Sequence, residues 1–419
     1  MKLTITPTKL RGTVTPPPSK SLAHRLLIAA ALSDGRSVLT GLGDSQDITA
    51  TRRCLSALGA GMEDLEGNAV RVHGLGGSIV QAGPAPVLDC GESGSTLRFL
   101  IPLALLVNGK AALTGHGRLM ERPLRPYEDL FREKGIAWEI KNGILTVDGG
   151  RDYDRLALDP GEYRLPGNVS SQFFTGLLFA LPLLDGDSTL VPATPLESRD
   201  YLELTRQAQA LAGVRSRWQG DTLFIPGGQR YQPFTASVEA DWSQAAFWYA
   251  AAGTGSAVSV AGMATDSRQG DRVILDYGRR LTESGSDVTL DMSGCPDLLP
   301  PLAAWAALRP GTTVLANAGR LRMKESDRLQ SVTAVLTALG ATVREEPDQL
   351  VIQGQDALPG GAAVDCWGDH RIAMMAAVAA TCCREPITLR GAECVAKSYP
   401  TFWEDYRMLG GNIDEHPGE

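Results

Sequence analysis

The stretch RLRMKESDRL, residues 320–329, packs four cationic and two acidic side chains into ten residues. On a helix Lys324 and Arg328 share one face, and like charges four residues apart repel by roughly a few tenths of a kcal/mol. An anion bound between them would reverse the sign of that interaction. Pairing of Glu325 with Arg328, and of Lys324 with Asp327, would instead make an ordinary solvated helix face. The stretch alone leaves both interpretations open.

Further cations stand near the starts of apolar helices or in tight loops: Lys20, Arg25, Arg98, Arg122, Arg371 and Lys397. Arginine binds carboxylate or phosphate with two parallel N–H donors, and lysine offers a point charge. Each position singly is an ordinary surface charge, but their shared placement predicts a small substrate with several negative charges. The sequence contains no GxxxxGK[ST] loop, which argues against a nucleotide-dependent kinase.

Two kinds of helix must position these side chains. Helices of the first kind are apolar all round after a polar first turn, which predicts burial; they are SKSLAHRLLIAAAL, SGSTLRFLIPLALL, SSQFFTGLLFALPLL, DWSQAAFWYAAAG, PDLLPPLAAWAAL and DHRIAMMAAVAA. The first turns leave backbone N–H groups that attract anions. Helices of the second kind are amphipathic, end near a glycine and precede two short strands.

This alternation recurs about every seventy residues, which predicts repeated structural units. Six central helices can bundle in threes, so we expect an α/β protein of two similar pseudo-threefold domains. We expect one domain at 19–238, a second at 1–18 plus 239–419, and the active site in the cleft between them. The first strand could pair with either half. The alternative is a three-domain enzyme of unrelated α+β pieces.

Bulk properties exclude several classes of function. The chain has 419 residues and a net charge of −8, which argues against a surface for nucleic acid or anionic membrane. Seven scattered cysteines without a CxxC pair predict reduced thiols and no zinc site. The N-terminus lacks an apolar signal core, and the longest apolar runs are about half of the ~20 residues that a membrane span needs. We therefore expect a cytoplasmic protein.

Seven short motifs carry a family resemblance: PSKSLAHR, CGESGSTLR, MERPL, GNVSSQF, LESRDY, RMKESDR and GDHRIAM. Together they resemble the 5-enolpyruvylshikimate-3-phosphate synthase family, in the family's order. The resemblance implies three βαβαββ repeats around buried parallel helices in each domain, an inverse α/β barrel. It also implies transfer of the enolpyruvyl group of phosphoenolpyruvate to the 5-hydroxyl of shikimate 3-phosphate, in aromatic amino acid biosynthesis. We expect no metal, no cofactor, and a monomer that binds neither nucleic acid nor membrane.

The implied addition and elimination need a base at the hydroxyl, an acid at the methylene carbon and cations for phosphates and carboxylates. By resemblance Asp297 takes the hydroxyl proton, Glu325 serves the methylene proton and Lys20 contacts both substrates. The resemblance assigns the contacts to phosphoenolpyruvate to Gly94, Arg122, Arg328, Arg371 and Lys397. It assigns the contacts to shikimate 3-phosphate to Ser21, Arg25, Ser170, Ser171, Gln172, Ser198, Tyr201 and Lys324.

Some of these side chains have a plainer interpretation. Asp297 could be a helix N-cap, and so could Ser170 and Ser171, although a capping serine can also reach phosphate. We interpret Asp369 and His370 as support for Arg371. Three positions depart from the family pattern, and the sequence leaves their roles open: His24, Glu92 and Arg320.

Two rival functions stay open at this point. The first is the related enolpyruvyl transfer to UDP-N-acetylglucosamine, whose enzymes have Asn after the first lysine and usually Cys in a loop. Here Ser21 follows Lys20, and the loop GHGRLMERPL has no Cys. The second is a non-catalytic repeat protein that binds a phosphorylated metabolite. The presence of both Asp297 and Glu325 argues against it.

Overall fold

The structure of the protein is a computed structural model that describes residues 1–76, 85–150 and 158–416. The chain separates into two compact units. The continuous unit comprises Pro18–Glu239, and the split unit comprises Met1–Pro17 together with Ala240–Glu419. Each unit has its own core of buried apolar side chains.

The α-helices alternate along the chain between the two kinds that the sequence predicts. Odd-numbered helices are largely buried because they are apolar all round, and even-numbered helices keep a polar face in solvent. In chain order the helices are α1 (Lys20–Ala31), α2 (Gln46–Ala57), α3 (Gly94–Asn108), α4 (Arg125–Glu133), α5 (Ser171–Ala180), α6 (Arg199–Leu211), α7 (Trp242–Gly253), α8 (Ile274–Glu283), α9 (Leu299–Ala306), α10 (Arg328–Ala338), α11 (His370–Ala380) and α12 (Phe402–Met408).

The strands are short, and most have alternating buried and exposed residues, as expected for sheets with one face on a core. In chain order they are β1 (Lys2–Thr6), β2 (Arg11–Val14), β3 (Arg36–Thr40), β4 (Gly61–Leu65), β5 (Ala69–His73), β6 (Val87–Asp89), β7 (Lys110–Thr114), β8 (Ala137–Lys141), β9 (Ile144–Asp148), β10 (Gly161–Leu165), β11 (Ser188–Pro192), β12 (Arg217–Gln219), β13 (Thr222–Ile225), β14 (Thr235–Ser237), β15 (Ala257–Val260), β16 (Val288–Asp291), β17 (Thr312–Ala316), β18 (Thr342–Glu346), β19 (Gln349–Gln353), β20 (Leu358–Gly360), β21 (Ala363–Asp365), β22 (Cys383–Glu385), β23 (Ile387–Arg390) and β24 (Asn412–His416).

The continuous unit repeats one sheet pattern. Its four-stranded sheets have the orders β14-β3-β5-β4, β6-β7-β9-β8 and β10-β11-β13-β12. In each sheet the first pair is parallel and the two following pairs are antiparallel. The hairpin of β8 and β9 turns at Asn142 and Gly143, which both have positive φ (53° and 74°), as an Asn-Gly turn of this type requires.

The split unit has the same pattern in the sheets β16-β17-β19-β18 and β21-β23-β1-β24. Two-stranded sheets pair β15 with β2 and β20 with β22. The sequence left open where the first strand pairs. In the structure β1 lies between β23 and β24, and β2 pairs with β15, so the N-terminal segment completes the split unit.

Across the described ranges no helix combines the length and the apolarity that a membrane crossing needs.

Candidate active site

A buried arginine organises the candidate site of the split unit. Arg328 is the first residue of α10, and its side chain is 1% exposed. Its Nη1 donates to Asp297 Oδ1 at 2.7 Å, its Nη2 to Glu325 Oε2 at 2.8 Å and its Nε to Asp369 Oδ2 at 2.9 Å. A buried charge is costly unless it is paired, and here each edge of the guanidinium meets a carboxylate. One cation therefore holds both carboxylates to which the family resemblance assigns proton transfer.

The charged stretch before α10 is not a helix face. A 3-10 turn covers Gly319–Met323, and Lys324 has an extended backbone. Asp327 is the N-cap of α10, where its Oδ1 accepts from the Gln330 N–H at 3.1 Å, and it pairs with Arg322. The hypothesis that Lys324 and Arg328 share a helical face is therefore wrong, because the aspartate cap starts the helix only after Lys324.

Arg371 holds the second oxygen of Asp297. Its Nη2 donates to Asp297 Oδ2 at 3.0 Å and to Ser243 Oγ at 2.9 Å. Asp369, the N-cap of α11, accepts from the backbone N–H of Arg371 at 3.0 Å and also binds Arg328. The interpretation of Asp297 as an N-cap is wrong: the N-cap of its 3-10 turn is Cys295. Its carboxylate lies instead between two arginines.

The surrounding charges set the ionisation of this cluster. Burial raises the pKa of Asp297, but Arg371, Lys324 and Arg328 together hold that pKa well below the ordinary 3.8. Asp297 is therefore a carboxylate at neutral pH. Burial and the nearby Arg328 and Arg320 lower the pKa of Lys324 to about 8, although Asp297 opposes the shift. Lys324 Nζ lies 3.9 Å from Asp297 Oδ1.

Lys397 approaches the same region by another route. It ends the 3-10 turn Ala392–Lys397, and its Nζ donates to the Gly368 carbonyl at 2.7 Å. Gly368 directly precedes Asp369, the cap of α11. In the split unit the structure thus brings Asp297, Glu325 and Arg371 onto one network, and Lys397 joins it through the backbone.

The continuous unit holds a buried arginine in different surroundings. Arg25, in α1, donates to Ser21 O at 2.6 Å, to Thr205 Oγ1 at 2.9 Å and to Thr175 Oγ1 at 3.5 Å. Its guanidinium also lies over the rings of Phe99 (5.2 Å) and Tyr201 (5.8 Å). Among the residues that the structure describes, none of its hydrogen-bond partners is a carboxylate. Burial lowers its pKa to about 10.

Gly94 and Arg122 meet at the start of α3. A Cβ added to Gly94 would lie 2.6 Å from Arg122 Nη1. Glycine therefore lets this guanidinium approach the backbone at a helix N-terminus, where exposed N–H groups favour anions. Arg122 directly follows the 3-10 turn Leu119–Glu121, in the loop before α4.

Lys20 begins α1, and its Nζ donates to Asp47 Oδ2 in the first turn of α2 at 2.7 Å. The pair keeps partial solvent access, with 17% and 11% of the two side chains exposed. This contact fixes the ammonium group beside the N-termini of two helices. The sequence does not single out Asp47.

The start of α5 carries three predicted residues. Ser170 is the N-cap, and its Oγ accepts from the Gln172 N–H at 3.3 Å. Gln172 Oε1 accepts from Arg98 Nη1 at 2.6 Å, and its Nε2 donates to Ser95 Oγ at 3.0 Å. Gln172 thereby joins α5 to the first turns of α3, while the buried Ser171 begins α5. Ser170 does cap the helix, as the plainer interpretation holds.

Ser198 and Tyr201 sit at the start of α6. Ser198 is a buried N-cap with φ of 55°, a left-handed conformation that a non-glycine residue rarely adopts. Tyr201 presents its ring to the Arg25 guanidinium. Ser21 enters these contacts through its backbone carbonyl.

Sequence reasoning missed several partners because they are common polar residues inside helices or at helix starts. They are Asp47, Ser95, Thr175, Thr205 and Ser243. Ser95, Thr175 and Ser243 are polar side chains in largely apolar helices, and Asp47 is an acid in a first turn. Thr205 has neither signal, because α6 is amphipathic.

The three positions that depart from the family pattern also make defined contacts. His24 contacts Thr51, Glu92 lies against Gly117, and Arg320 donates to the Ser293 carbonyl.

A family model for EPSP synthase (3-phosphoshikimate 1-carboxyvinyltransferase) matches residues 5–406. The chain belongs to the EPSP synthase family. A 3-phosphoshikimate 1-carboxyvinyltransferase of Clostridium kluyveri is 44% identical over 430 residues, which cover 99% of this chain and 98% of that relative. The enzyme of the same name from Clostridioides difficile is 40% identical over 436 residues, with 99% and 98% covered.

Solved structures agree with this membership. EPSP synthase from Acinetobacter baumannii has a TM-score of 0.79 at 25% identity, covering 99% of this chain and 100% of that chain. The enolpyruvyl transferase NikO from Streptomyces tendae shares the fold, with a TM-score of 0.76 at 18% identity over 100% and 99% of the two chains. The predicted family and the predicted α/β enolpyruvyl transferase fold are confirmed. In the described part of the chain no cluster of His, Cys, Asp and Glu could hold a metal ion.

Proposed function

We propose that the chain transfers the enolpyruvyl group of phosphoenolpyruvate to the 5-hydroxyl of shikimate 3-phosphate and releases phosphate. The 5-hydroxyl oxygen attacks C2 of the enol phosphate while C3 gains a proton, and the tetrahedral adduct then loses phosphate and a proton from C3. The observation that carries the proposal is the attachment of Asp297 and Glu325 to one buried guanidinium, Arg328.

Asp297 is assigned the role of the base that takes the proton from the 5-hydroxyl. In the structure both of its oxygens accept from arginines, which makes it a weak base. A bound phosphate or carboxylate would compete with Asp297 for Arg328 and Arg371. Because those cations hold its pKa down, such competition would raise the pKa of Asp297 and make it a better base only when substrate is present.

Glu325 is assigned the proton transfers at the methylene carbon, C3. Its carboxylate accepts from Arg328 Nη2, and 19% of its side chain is exposed to solvent. An anion on Arg328 would loosen this contact, so that a protonated Glu325 gives its proton to C3 in the addition and takes one back from C3 in the elimination. Arg328 and Arg371 would then stabilise the departing phosphate, since preorganised cations act where charge develops.

The continuous unit is assigned much of the anion binding. Arg25 has hydroxyl, carbonyl and ring partners but no carboxylate in the described ranges, so a ligand phosphate would supply its counter-charge. Gly94, Arg122 and Lys20 are assigned to phosphoenolpyruvate and to the proton transfers near it. The N-caps Ser170 and Ser198 would add hydroxyl donors for shikimate 3-phosphate.

The remaining assignments follow the sequence analysis. Five further residues are assigned as contacts to shikimate 3-phosphate: Ser21, Ser171, Gln172, Tyr201 and Lys324. Lys397 is assigned as a contact to phosphoenolpyruvate. The domain limits expected from the sequence, the cytoplasmic location, the monomeric state and the absence of nucleic-acid and membrane partners stay predictions.

A two-substrate assay of phosphate release tests the proposal. Purified protein should release phosphate with phosphoenolpyruvate and shikimate 3-phosphate together, and with neither alone. Mass spectrometry of the product should show the enolpyruvyl ether. Turnover with UDP-N-acetylglucosamine and none with shikimate 3-phosphate would overturn it in favour of the related transferase. Binding of both substrates without turnover would favour the non-catalytic alternative.

A further inference from the structure

A chain of buried polar side chains links the first three helices of the continuous unit. His24 of α1 is fully buried, and its Nδ1 lies 2.7 Å from Thr51 Oγ1 of α2. Thr51 Oγ1 lies 2.6 Å from Thr96 Oγ1 of α3. Thr96 Oγ1 donates to Ser93 Oγ, the N-cap of α3, at 2.8 Å. The proposed mechanism uses none of these four side chains.

The proton on the His24 ring can be placed from its surroundings. Its Nε2 is buried and has no hydrogen-bond partner among the described residues. If Nε2 carried the proton, a buried N–H would be left unpaired, which is rarer in proteins than an acceptor left unpaired. The proton therefore belongs on Nδ1, which donates to Thr51. That leaves the single hydroxyl proton of Thr51 for Thr96 or for the Asp47 carbonyl, 3.3 Å away.

The chain ends beside residues that the proposed function uses. Ser93 directly precedes Gly94, and its Oγ accepts from the Thr96 N–H at 3.1 Å, so it sets the first turn of α3. Asp47, whose carbonyl meets Thr51, carries the carboxylate that holds Lys20. The His24 ring also packs nearly perpendicular to the Phe99 ring, over which the Arg25 guanidinium lies.

We propose that His24 is a positioning residue, which acts through Thr51, Thr96 and Ser93 to fix the N-terminus of α3 and the Lys20–Asp47 pair for the enolpyruvyl donor. His24 touches no assigned substrate group, so its effect passes through the hydrogen-bond chain. The inference rests on the proposed function, since it names what the ordered helix start serves.

The kinetic test compares variants that differ in where they place an N–H donor. His24→Asn keeps an amide N–H near the place of Nδ1, whereas His24→Gln moves it toward Nε2 and His24→Leu removes it. Thr51→Val removes the acceptor at nearly constant volume. We expect His24→Leu, His24→Gln and Thr51→Val to lower kcat/KM for phosphoenolpyruvate about tenfold, since small misplacements are costly to catalysis. His24→Asn should stay within about threefold of the unmodified protein on the same grounds.

Two features separate positioning from a general loss of stability. The double variant His24→Leu with Thr51→Val should lose no more than the worse single variant, because both break one chain. Ser33→Ala is the matched control: Ser33 is buried just past the other end of α1, where its Oγ donates to the Ala30 carbonyl at 2.8 Å. It should leave kcat/KM unchanged. Additive losses, or equal losses in His24→Asn and His24→Gln, would overturn the proposal.

Hydrogen exchange gives a readout that does not need turnover. The amides of Thr96 and Leu97 are held by Ser93 Oγ and by the Ser93 carbonyl at 3.1 Å each. They should exchange faster in His24→Leu and Thr51→Val than in the unmodified protein, and at the unmodified rate in Ser33→Ala. Unchanged exchange at these amides would overturn the positioning role. If the unmodified protein releases no phosphate, the proposed function fails, while exchange still decides the role of His24.

Discussion

Each unit buries arginines, and two of them, Arg328 in the split unit and Arg25 in the continuous unit, have opposite surroundings. Arg328 of the split unit donates to three carboxylates, whereas Arg25 of the continuous unit donates to two threonine hydroxyls and a backbone carbonyl. Burial lowers the pKa of both guanidinium groups. Asp369, Glu325 and Asp297 reverse that effect at Arg328, whose pKa is raised, while the pKa of Arg25 falls to about 10.

This difference separates two ways of preparing a site for anions. At Arg328 the protein supplies the counter-charge, so a ligand must compete with carboxylates, and the competition changes their basicity. At Arg25 the protein supplies no carboxylate within the described ranges, so a ligand phosphate adds a missing charge. The first arrangement suits proton transfer that switches on with binding, and the second suits binding itself.

Replacing Asp297 by Asn should have the largest effect of any single change. Asn keeps the shape and one acceptor for Arg328, but it cannot take a proton. Loss of a positioned base costs about 10²–10⁴ in rate, so kcat should fall about a thousandfold. Steady-state phosphate release measures this, and KM for both substrates should change much less than kcat.

Asp327→Asn is the control for that variant. Asp327 belongs to the same charged stretch but caps α10 and pairs with Arg322. Asparagine is an equally good N-cap, so activity should stay within about twofold. An Asp297→Asn enzyme with near-normal kcat would show that another group takes the hydroxyl proton.

The two arginines should differ most clearly in stability. Arg328→Met leaves three carboxylates around an empty guanidinium position, and breaking a buried ion network from one side costs about 3–5 kcal/mol. Among the described residues, Arg25→Met leaves hydroxyl and carbonyl partners unpaired but no carboxylate. It should therefore cost less than Arg328→Met, about 1–3 kcal/mol, while KM for shikimate 3-phosphate rises strongly. Urea unfolding of both variants measures the free energies. Equal losses would refute the contrast drawn here.

Because of Lys324, the binding of shikimate 3-phosphate should weaken as the pH rises into the alkaline range. Its pKa is lowered to about 8, so it is cationic below that pH and loses its charge above it. A bound phosphate favours the charged form. KM for shikimate 3-phosphate should therefore be flat from pH 6.5 to 7.5 and rise by up to about tenfold per pH unit above 8.

Lys324→Arg keeps its charge at all of these pH values and should remove the rise. The KM for phosphoenolpyruvate, assigned to arginines and to Lys20 and Lys397, provides the internal control. A KM for shikimate 3-phosphate that stays flat to pH 9.5 in the unmodified protein would contradict the assignment of Lys324.

Sequence reasoning predicted the fold class because helix burial follows from composition: a helix without a polar face must be buried, and six such segments alternate with amphipathic ones. It assigned residues 1–18 to the second domain, but the KLTIT pattern by itself suits either half. Only the pairing of β1 with β23 and β24 decides this. Long-range pairing depends on the whole sheet and not on the strand itself.

The contacts within the charged stretch, residues 320–329, also could not be predicted from the sequence alone. The spacing of Lys324 and Arg328 would put them on one face if the stretch were a helix, but Asp327 starts the helix between them. The family resemblance named Arg328 and Asp297 without indicating that they bind each other. Contacts such as Ser243 with Arg371 and Thr205 with Arg25 join helices far apart in the chain. Serine and threonine at these positions do not reveal their partners until the helices pack.

The smallest predicted effect concerns the backbone at the start of α3. A methyl group on Gly94 would lie 2.6 Å from Arg122 Nη1, so Gly94→Ala must displace the end of a flexible side chain. That displacement costs little stability, but it moves a cation assigned to phosphoenolpyruvate. KM for phosphoenolpyruvate should rise about three- to tenfold, with kcat nearly unchanged, because the lost interaction is one of binding.

Gly285→Ala is the matched control for Gly94→Ala. A Cβ at Gly285 meets nothing within 4 Å, so neither KM nor the melting temperature should change. If Gly94→Ala lowered kcat instead of raising KM, Arg122 would act on the reacting centre during the chemical step. The continuous unit would then do more than bind anions, and the division of labour inferred from Arg25 and Arg328 would need revision.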